Sequence, residues 1–203
     1  MRLNQARIPP VPQDQWTEEQ REIMAPMVSG KGLGGQATNI FTTFLNHPKL
    51  MKKWLVFANY ALFKSTLPAR DRELAILRIG WLCQSGYEFG QHVLIARQSG
   101  INDAEIERLK TGHEAPGWSD ADRAVLRATD ELHNDAFITD ATFALLTRCY
   151  STEQIMDLVF VVGNYTLVSM ALNTLGVQFD ASIEGLWPNR SEESQKAISA
   201  ATE

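Results

Sequence analysis

Helical periodicity is the feature that most narrows the fold of this chain. Apolar residues recur three and four positions apart in one segment after another, and the strict alternation of a half-buried strand is rare. Each such segment has one stripe to bury, and helix packed on helix buries it, so the expected fold class is all-α. The boundaries carry their own chemistry. Thr17-Glu18-Glu19-Gln20 matches a capping box and predicts a helix over 17–28. A short helix over 41–45 is followed by His47-Pro48, read as turn chemistry, and by a longer helix over 50–63. Pro68 stands near the start of the next, which carries Leu74, Ile76, Leu77, Ile79 and Leu82. Further helices are expected over 85–97, 102–109, 119–133, 140–149 and 152–174, the last stopped by Gly176.

Between these segments, 29–35 holds four glycines but no Lys-Ser or Lys-Thr of a phosphate-binding loop, so it reads as a connector or a mobile lid. The region 188–203 is rich in Ser, Glu and Ala and is expected to pack loosely or to rest on a neighbouring subunit. A faint echo links 86–101 with 163–177 in length, apolar spacing and terminal glycine. It suggests an internal duplication, or simply two helices with ordinary glycine caps, packed side by side.

With 203 residues, 44% of them hydrophobic, the chain can build one substantial core, and one domain over 1–203 is expected. The formal charge is -5 and basic residues are scattered, which argues against a nucleic-acid partner. The opening residues lack a signal-peptide run, and no later segment reads as the roughly 20 apolar residues that span a bilayer. A cytoplasmic location without a membrane partner is the resulting expectation. Cys83 and Cys149 are too sparse for a disulfide framework or a structural zinc site, and no cluster has metal-ligand spacing, so neither metal nor cofactor is expected.

Chemistry concentrates between residues 72 and 92. Glu88 and His92 are four apart and share a helix face, while Glu73 sits on the preceding helix among Leu74, Ile76 and Leu77. A carboxylate drawn into apolar surroundings can exchange protons with a nearby imidazole, so Glu73, Glu88 and His92 are the candidate relay. Other readings stay open. Ser85-Gly86-Tyr87-Glu88 also fits a capping box, with Ser85 as the cap and Glu88 returning to it. Glu73 could be a first-turn glutamate or pair with Arg70 or Arg78. Trp81 and Tyr87 are candidate pocket walls or plain packing, and Cys83 a thiol or a small buried hydrophobe. His133 is read as a partner for terminal helix carbonyls and His113 as solvated.

The run Arg72-Glu73-Leu74 through Tyr87-Glu88-Phe89-Gly90-Gln91-His92, with the His47-Pro48 turn before it, resembles the carboxymuconolactone decarboxylase family, which includes alkyl hydroperoxidase D-type peroxidases. The likeness is clearest over 46–101, and Asp130-Glu131-Leu132-His133 and Gly163-Asn164-Tyr165 look like the longer members. It implies an alkyl hydroperoxidase D-like helical bundle and a homo-oligomer, trimer or hexamer. The peroxidase pattern is a glutamate, Cys-x-x-Cys, then a histidine four residues on. Glu73 and His92 match it, while the cysteine positions fall on Ser85 and Glu88. A sulfenic acid resolved by a neighbouring thiol cannot form there.

What the resemblance implies is therefore the branch without the cysteine pair: a cofactor-independent lyase, or related proton-transfer enzyme, acting on a small carboxylated lactone or oxo acid in aromatic-compound catabolism. His92 would be the acid, with Glu73 or Glu88 recharging it. Ser85, Tyr87, Trp81 and Tyr165 are the candidate substrate contacts, and N–H groups around Gly86 and Tyr87 would hold a substrate oxygen. Tyr165 enters through the repeat, which places it opposite Glu88. Two alternatives remain: a thiol-dependent hydroperoxide reductase using Cys83, and a non-catalytic helical binding or assembly module.

Overall fold

The computed structural model describes residues 3–29 and 37–187. The glycine connector and the Ser/Glu/Ala-rich region therefore lie outside the described residues, apart from Ser29. Within them stand nine α-helices and no strand. They are α1 (Glu18–Val28), α2 (Asn39–Phe44), α3 (Pro48–Phe63), α4 (Ala69–Leu82), α5 (Gly86–Gln98), α6 (Asp103–Thr111), α7 (Asp120–Asp135), α8 (Asp140–Cys149) and α9 (Thr152–Leu175). Most boundaries fall within one or two residues of the expected ones because the caps are local. Thr17, Asn102, Ser119 and Ser151 each form a full capping box with the residue three further on. His47 does more than turn the chain: it is the N-cap of α3, its Nδ1 accepting Leu50 N at 3.3 Å.

Helix α4 lies at the centre, packed on α5, α7 and α9. Its stretch Glu73-Leu74-Ala75-Ile76-Leu77-Arg78-Ile79-Gly80 is buried at every position. Burying Leu74, Ile76, Leu77 and Ile79 stabilises the fold by about 2 kcal/mol each. The two charges in that stretch need partners. Arg78 donates through Nε to Asp130 Oδ1 at 2.5 Å and through Nη1 to Leu109 O and Lys110 O, both at 2.9 Å, tying the end of α6 to α4 and α7. His113, expected to be solvated, is half-buried, with its Nδ1 at 2.7 Å from Asp130 Oδ2. The long-range fold around Asp130 draws it in.

Two smaller apolar clusters flank the main core. Trp16, Ile23, Met24, Leu45 and Met51 join α1, α2 and α3, while Tyr87, Val168, Leu172, Val177 and Ile183 join α5, α9 and the segment after it. That last segment folds back over the start of α5, where a methyl added at Gly86 would meet Trp187 Cγ at 2.9 Å. The N-terminal segment closes the other side. Arg7 N and Ile8 N both donate to Leu175 O, at the end of α9.

Helix α9 corrects one expectation, since by length and composition it is apolar enough to cross a membrane. Its apolarity has a source in the bundle, where 56% of that stretch is buried.

Candidate active site

Helices α4 and α5 form a tight antiparallel hairpin. Gln84 adopts a left-handed conformation (φ 56), and the Gln84 and Ser85 N–H groups donate back to Trp81 O and Gly80 O, the paired bonds of a Schellman turn. Gly80 then lies against α5, where an added methyl would rest 3.5 Å from Phe89 N and 3.8 Å from Glu88 Cγ. Glu73 lies as far before Gly80 as His92 lies after Ser85. The hairpin therefore sets the two side chains opposite each other.

They meet. His92 Nδ1 is 2.7 Å from Glu73 Oε2, and His92 Nε2 is 3.1 Å from Glu88 Oε1. All three side chains are buried, Glu73 completely. Glu73 Oε1 in turn accepts Arg72 Nε at 3.2 Å, so its partner is neither Arg70 nor Arg78. Those two arginines are committed elsewhere, Arg70 to Asp122 and Glu105 and Arg78 to Asp130. The row Arg72, Glu73, His92, Glu88 is electrically balanced when the imidazole carries its proton. Burial alone would lower the His92 pKa, but the charge and hydrogen bond of Glu73, then those of Glu88, outweigh it and hold it at about 9.

Tyr165, from α9, completes the group. Its ring meets the imidazole edge to face, with centroids 4.8 Å apart. Burial, then the negative charges of Glu88 and Glu73, push its pKa well above the ordinary tyrosine value, so its hydroxyl keeps its proton as a hydrogen-bond donor. One turn along α9, Ser169 is wholly buried and its Oγ has no hydrogen-bond partner among the described residues; the same is true of Ser85 Oγ.

The remaining expected site residues are placed differently. Ser85 precedes α5 but makes no side-chain cap, and Glu88 is turned to the imidazole instead of back to the cap. The Schellman turn leaves Ser85 at φ -96, ψ 87, away from the extended geometry of the four capping boxes. Tyr87 does not present its hydroxyl to a pocket: the group donates to Asp180 Oδ2 and accepts Ile40 N at 3.1 Å. Gln91 Nε2 reaches the same Asp180 oxygen at 2.7 Å. Trp81 packs against Trp187 and Phe89, with ring centroids 5.1 and 5.8 Å apart. The N-terminus of α5 around Gly86, expected to hold a substrate oxygen, is covered by Trp187 and Phe179. Cys83 is half-buried, with its Sγ 3.8 Å from Nδ1 of His133. His133 therefore faces a thiol rather than helix carbonyls. No group of three or more His, Cys, Asp or Glu among the described residues is arranged to hold a metal ion.

Sequence reasoning missed Arg72 and Asp180. Arg72 adjoins Glu73 in the chain and could have been weighed with Arg70 and Arg78. Asp180 lies 93 positions from Tyr87, and no local pattern joins them.

Comparisons with known proteins agree with this architecture. Residues 48–131 match the family model described as the Carboxymuconolactone decarboxylase family. The chain is similar to the solved alkylhydroperoxidase AhpD core of an uncharacterized peroxidase-related protein from Ralstonia eutropha, with TM-score 0.76 and 18% identity over 88% of this chain and 94% of that one. A peroxidase-related protein from Silicibacter gives TM-score 0.68 and 18% identity, covering 91% and 94% of the two chains. The debrominase Bmp8, solved as a cysteine-to-alanine variant in complex with 2,3,4-tribromopyrrole, gives TM-score 0.72 and 15% identity, covering 86% and 92%. No curated protein matches the chain. Residues 48–131, which hold the Glu73, Glu88 and His92 row, thus match the carboxymuconolactone decarboxylase family model, and the chain has an AhpD-like all-α fold.

Proposed function

We propose that the chain is an enzyme whose buried Glu73, His92 and Glu88 relay a proton to a small carboxylated lactone or oxo acid during cofactor-independent decarboxylation. The observation that carries this reading is the carboxylate on each imidazole nitrogen, at 2.7 and 3.1 Å. In the reaction the bond from the ring carbon to the carboxylate breaks, carbon dioxide leaves, and the electron pair enters a dienolate. That anion takes one proton at carbon. Glu88 delivers it, having received it from His92 Nε2, while Glu73 and Arg72 hold the imidazole in orientation. The sequence reading made His92 the direct acid. With Nδ1 held by Glu73, its role becomes to hand the Nε2 proton to Glu88, and a proton from solvent restores the imidazolium after product leaves. The Tyr165 hydroxyl, which keeps its proton, donates to the developing oxyanion.

A second reading is favoured by one specific contact, Cys83 Sγ at 3.8 Å from His133 Nδ1. As a thiol-dependent hydroperoxide reductase, the Cys83 thiolate would attack the peroxide. An S–O bond forms, the O–O bond breaks, the alcohol leaves with a proton, and two external thiols reduce the sulfenic acid to give water and a disulfide. The neighbouring peroxidase-related proteins support keeping this reading.

One paired assay separates the two. Carbon dioxide release from 4-carboxymuconolactone and thiol-dependent loss of hydroperoxide are followed with wild type, His92→Ala and Cys83→Ser. Decarboxylation abolished by His92→Ala and untouched by Cys83→Ser supports the relay. Peroxide consumption lost with Cys83→Ser, without carbon dioxide release, replaces it with the thiol reading.

A further inference from the structure

Gly163 stands in the middle of α9, where glycine disfavours helix, yet among the described residues nothing lies within 4 Å of the place a Cβ would occupy. Packing among the described residues therefore gives no reason for it. On either side, the most exposed apolar side chains of α9 are Met156 (56%), Phe160 (55%), Leu167 (51%) and Met170 (57%), with Val159 (37%) beside them. The steps from Met156 to Phe160, Gly163, Leu167 and Met170 are four, three, four and three residues, the seam of a helix that packs along a second helix. The order Met, Phe, Gly, Leu, Met is also nearly symmetric about Gly163.

We propose that this face of α9 binds α9 of a second copy of the chain, antiparallel across a two-fold axis at Gly163. In that arrangement Met156 faces the partner's Met170 and Phe160 faces the partner's Leu167. The two Gly163 backbones cross where no side chain holds them apart. Helix α3 widens the surface. It runs antiparallel beside α9, with Phe57 and Phe160 rings 6.1 Å apart, and it exposes Val56 and Phe63. The apolar surface offered by these α3 and α9 side chains is on the order of 800 Å², taking about 200 Å² for each large side chain when fully exposed. About 800 Å² per partner is what a stable interface buries.

Charge favours a second copy over a lipid surface. Helices that lie on membranes carry Lys and Arg on the polar face, whereas the charged residues of α9, which forms the seam, are Glu153 and Asp157 only; of the three lysines of α3 (Lys49, Lys52 and Lys53), Lys52 is paired with Glu19, and the net charge of the chain is -5. A two-fold seam fits a dimer or an even-numbered ring such as a hexamer built from dimers; a trimer alone has no such axis. The proposal goes beyond the reaction assigned above and does not depend on it.

The test is sedimentation of the full chain together with cross-linking. Wild type is expected to sediment as a dimer or a multiple of dimers. Phe160→Glu should raise the dissociation constant of the α9 contact about 100-fold or more. Leu50→Glu, an equally exposed change at the start of α3, should leave it unaltered. Gly163→Cys in a Cys149→Ser background should cross-link to itself under mild oxidation, since two such residues at the axis come within disulfide reach. A monomeric or odd-numbered wild type overturns the proposal. So does an assembly indifferent to Phe160→Glu, or a folded Gly163→Cys variant that does not form the disulfide dimer. Monomer that binds anionic phospholipid vesicles through Phe160 would make a membrane the occupant and overturn it equally.

Discussion

The charge on His92 ties folding stability to pH with a definite sign. In the unfolded chain the imidazole titrates at 6.5, and in the native fold at about 9. Below pH 6.5 both states hold the proton and the stabilisation is fully present. Between 6.5 and about 9 the native state binds more protons than the unfolded one, so the unfolding free energy falls as pH rises. Each unit of separation is worth about 1.4 kcal/mol, so about 3 kcal/mol of stability should be lost as the pH rises through this window. Glu73 and Glu88 supply the attraction, and removing one of them should flatten the curve. Denaturant unfolding of wild type and Glu88→Gln, at one fixed protein concentration and at steps from pH 6 to 9.5, measures both slopes. The upper limit avoids the tyrosines: Tyr60, Tyr87, Tyr150 and Tyr165 all titrate above the ordinary tyrosine value. A wild-type stability that is flat or rises from pH 6.5 to 9 would refute the reasoning, because His92 would then be neutral in the fold.

Three further outcomes are expected. Tyr165→Phe should fold normally and lower kcat by roughly 100-fold or more with little change in KM, as loss of one oxyanion donor does; an unchanged kcat removes Tyr165 from the chemistry. Arg78→Ala should cost about 3 to 5 kcal/mol in denaturant unfolding, because it leaves Asp130 buried without its cation and frees the end of α6. Tyr87→Phe should cost about 1 to 3 kcal/mol by taking the acceptor from Ile40 N and one of three donors from Asp180, and should speed proteolysis in the segment after α9 while leaving substrate affinity unaltered. A large rise in KM would instead place Tyr87 in the substrate site.

What could be read from the sequence divides by range. Helix starts were legible because a cap and its partner lie three residues apart, as with Thr17 and Gln20, and α8 was delimited over 140–149 as found. Glu88 and His92 were legible as one helix face, and Glu73 entered through the family pattern. Tyr165 came in only through the repeat, and the structure places it against His92, one turn beyond the residue expected. The failures share a cause. Ser85 and Glu88 have the letters of a capping box, but the left-handed turn at Gln84 and the imidazole of His92 compete for them and prevail. His113 and Tyr87 are each claimed by an aspartate far along the chain, Asp130 and Asp180, and no local rule reaches that far. The apolar length of α9 was underestimated because Asp157, Asn164 and Ser169 break the run in sequence while all turning inward in space.

The docking of the N-terminal segment on α9 also sets an order of events during synthesis. Arg7 and Ile8 donate to Leu175 O, and Gln178 Nε2 reaches back to Leu3 O. On the ribosome those residues emerge more than 160 positions ahead of Leu175 and Gln178, their partners in these bonds. Until then α4 and α5 can pair but lack Tyr165, so the nascent chain would carry the carboxylate–imidazole row with its tyrosine wall missing. Closing contacts of such long sequence separation is slow, and an incomplete chain, with α9 still in the exit tunnel, would leave the apolar flank of α4 open to chaperones.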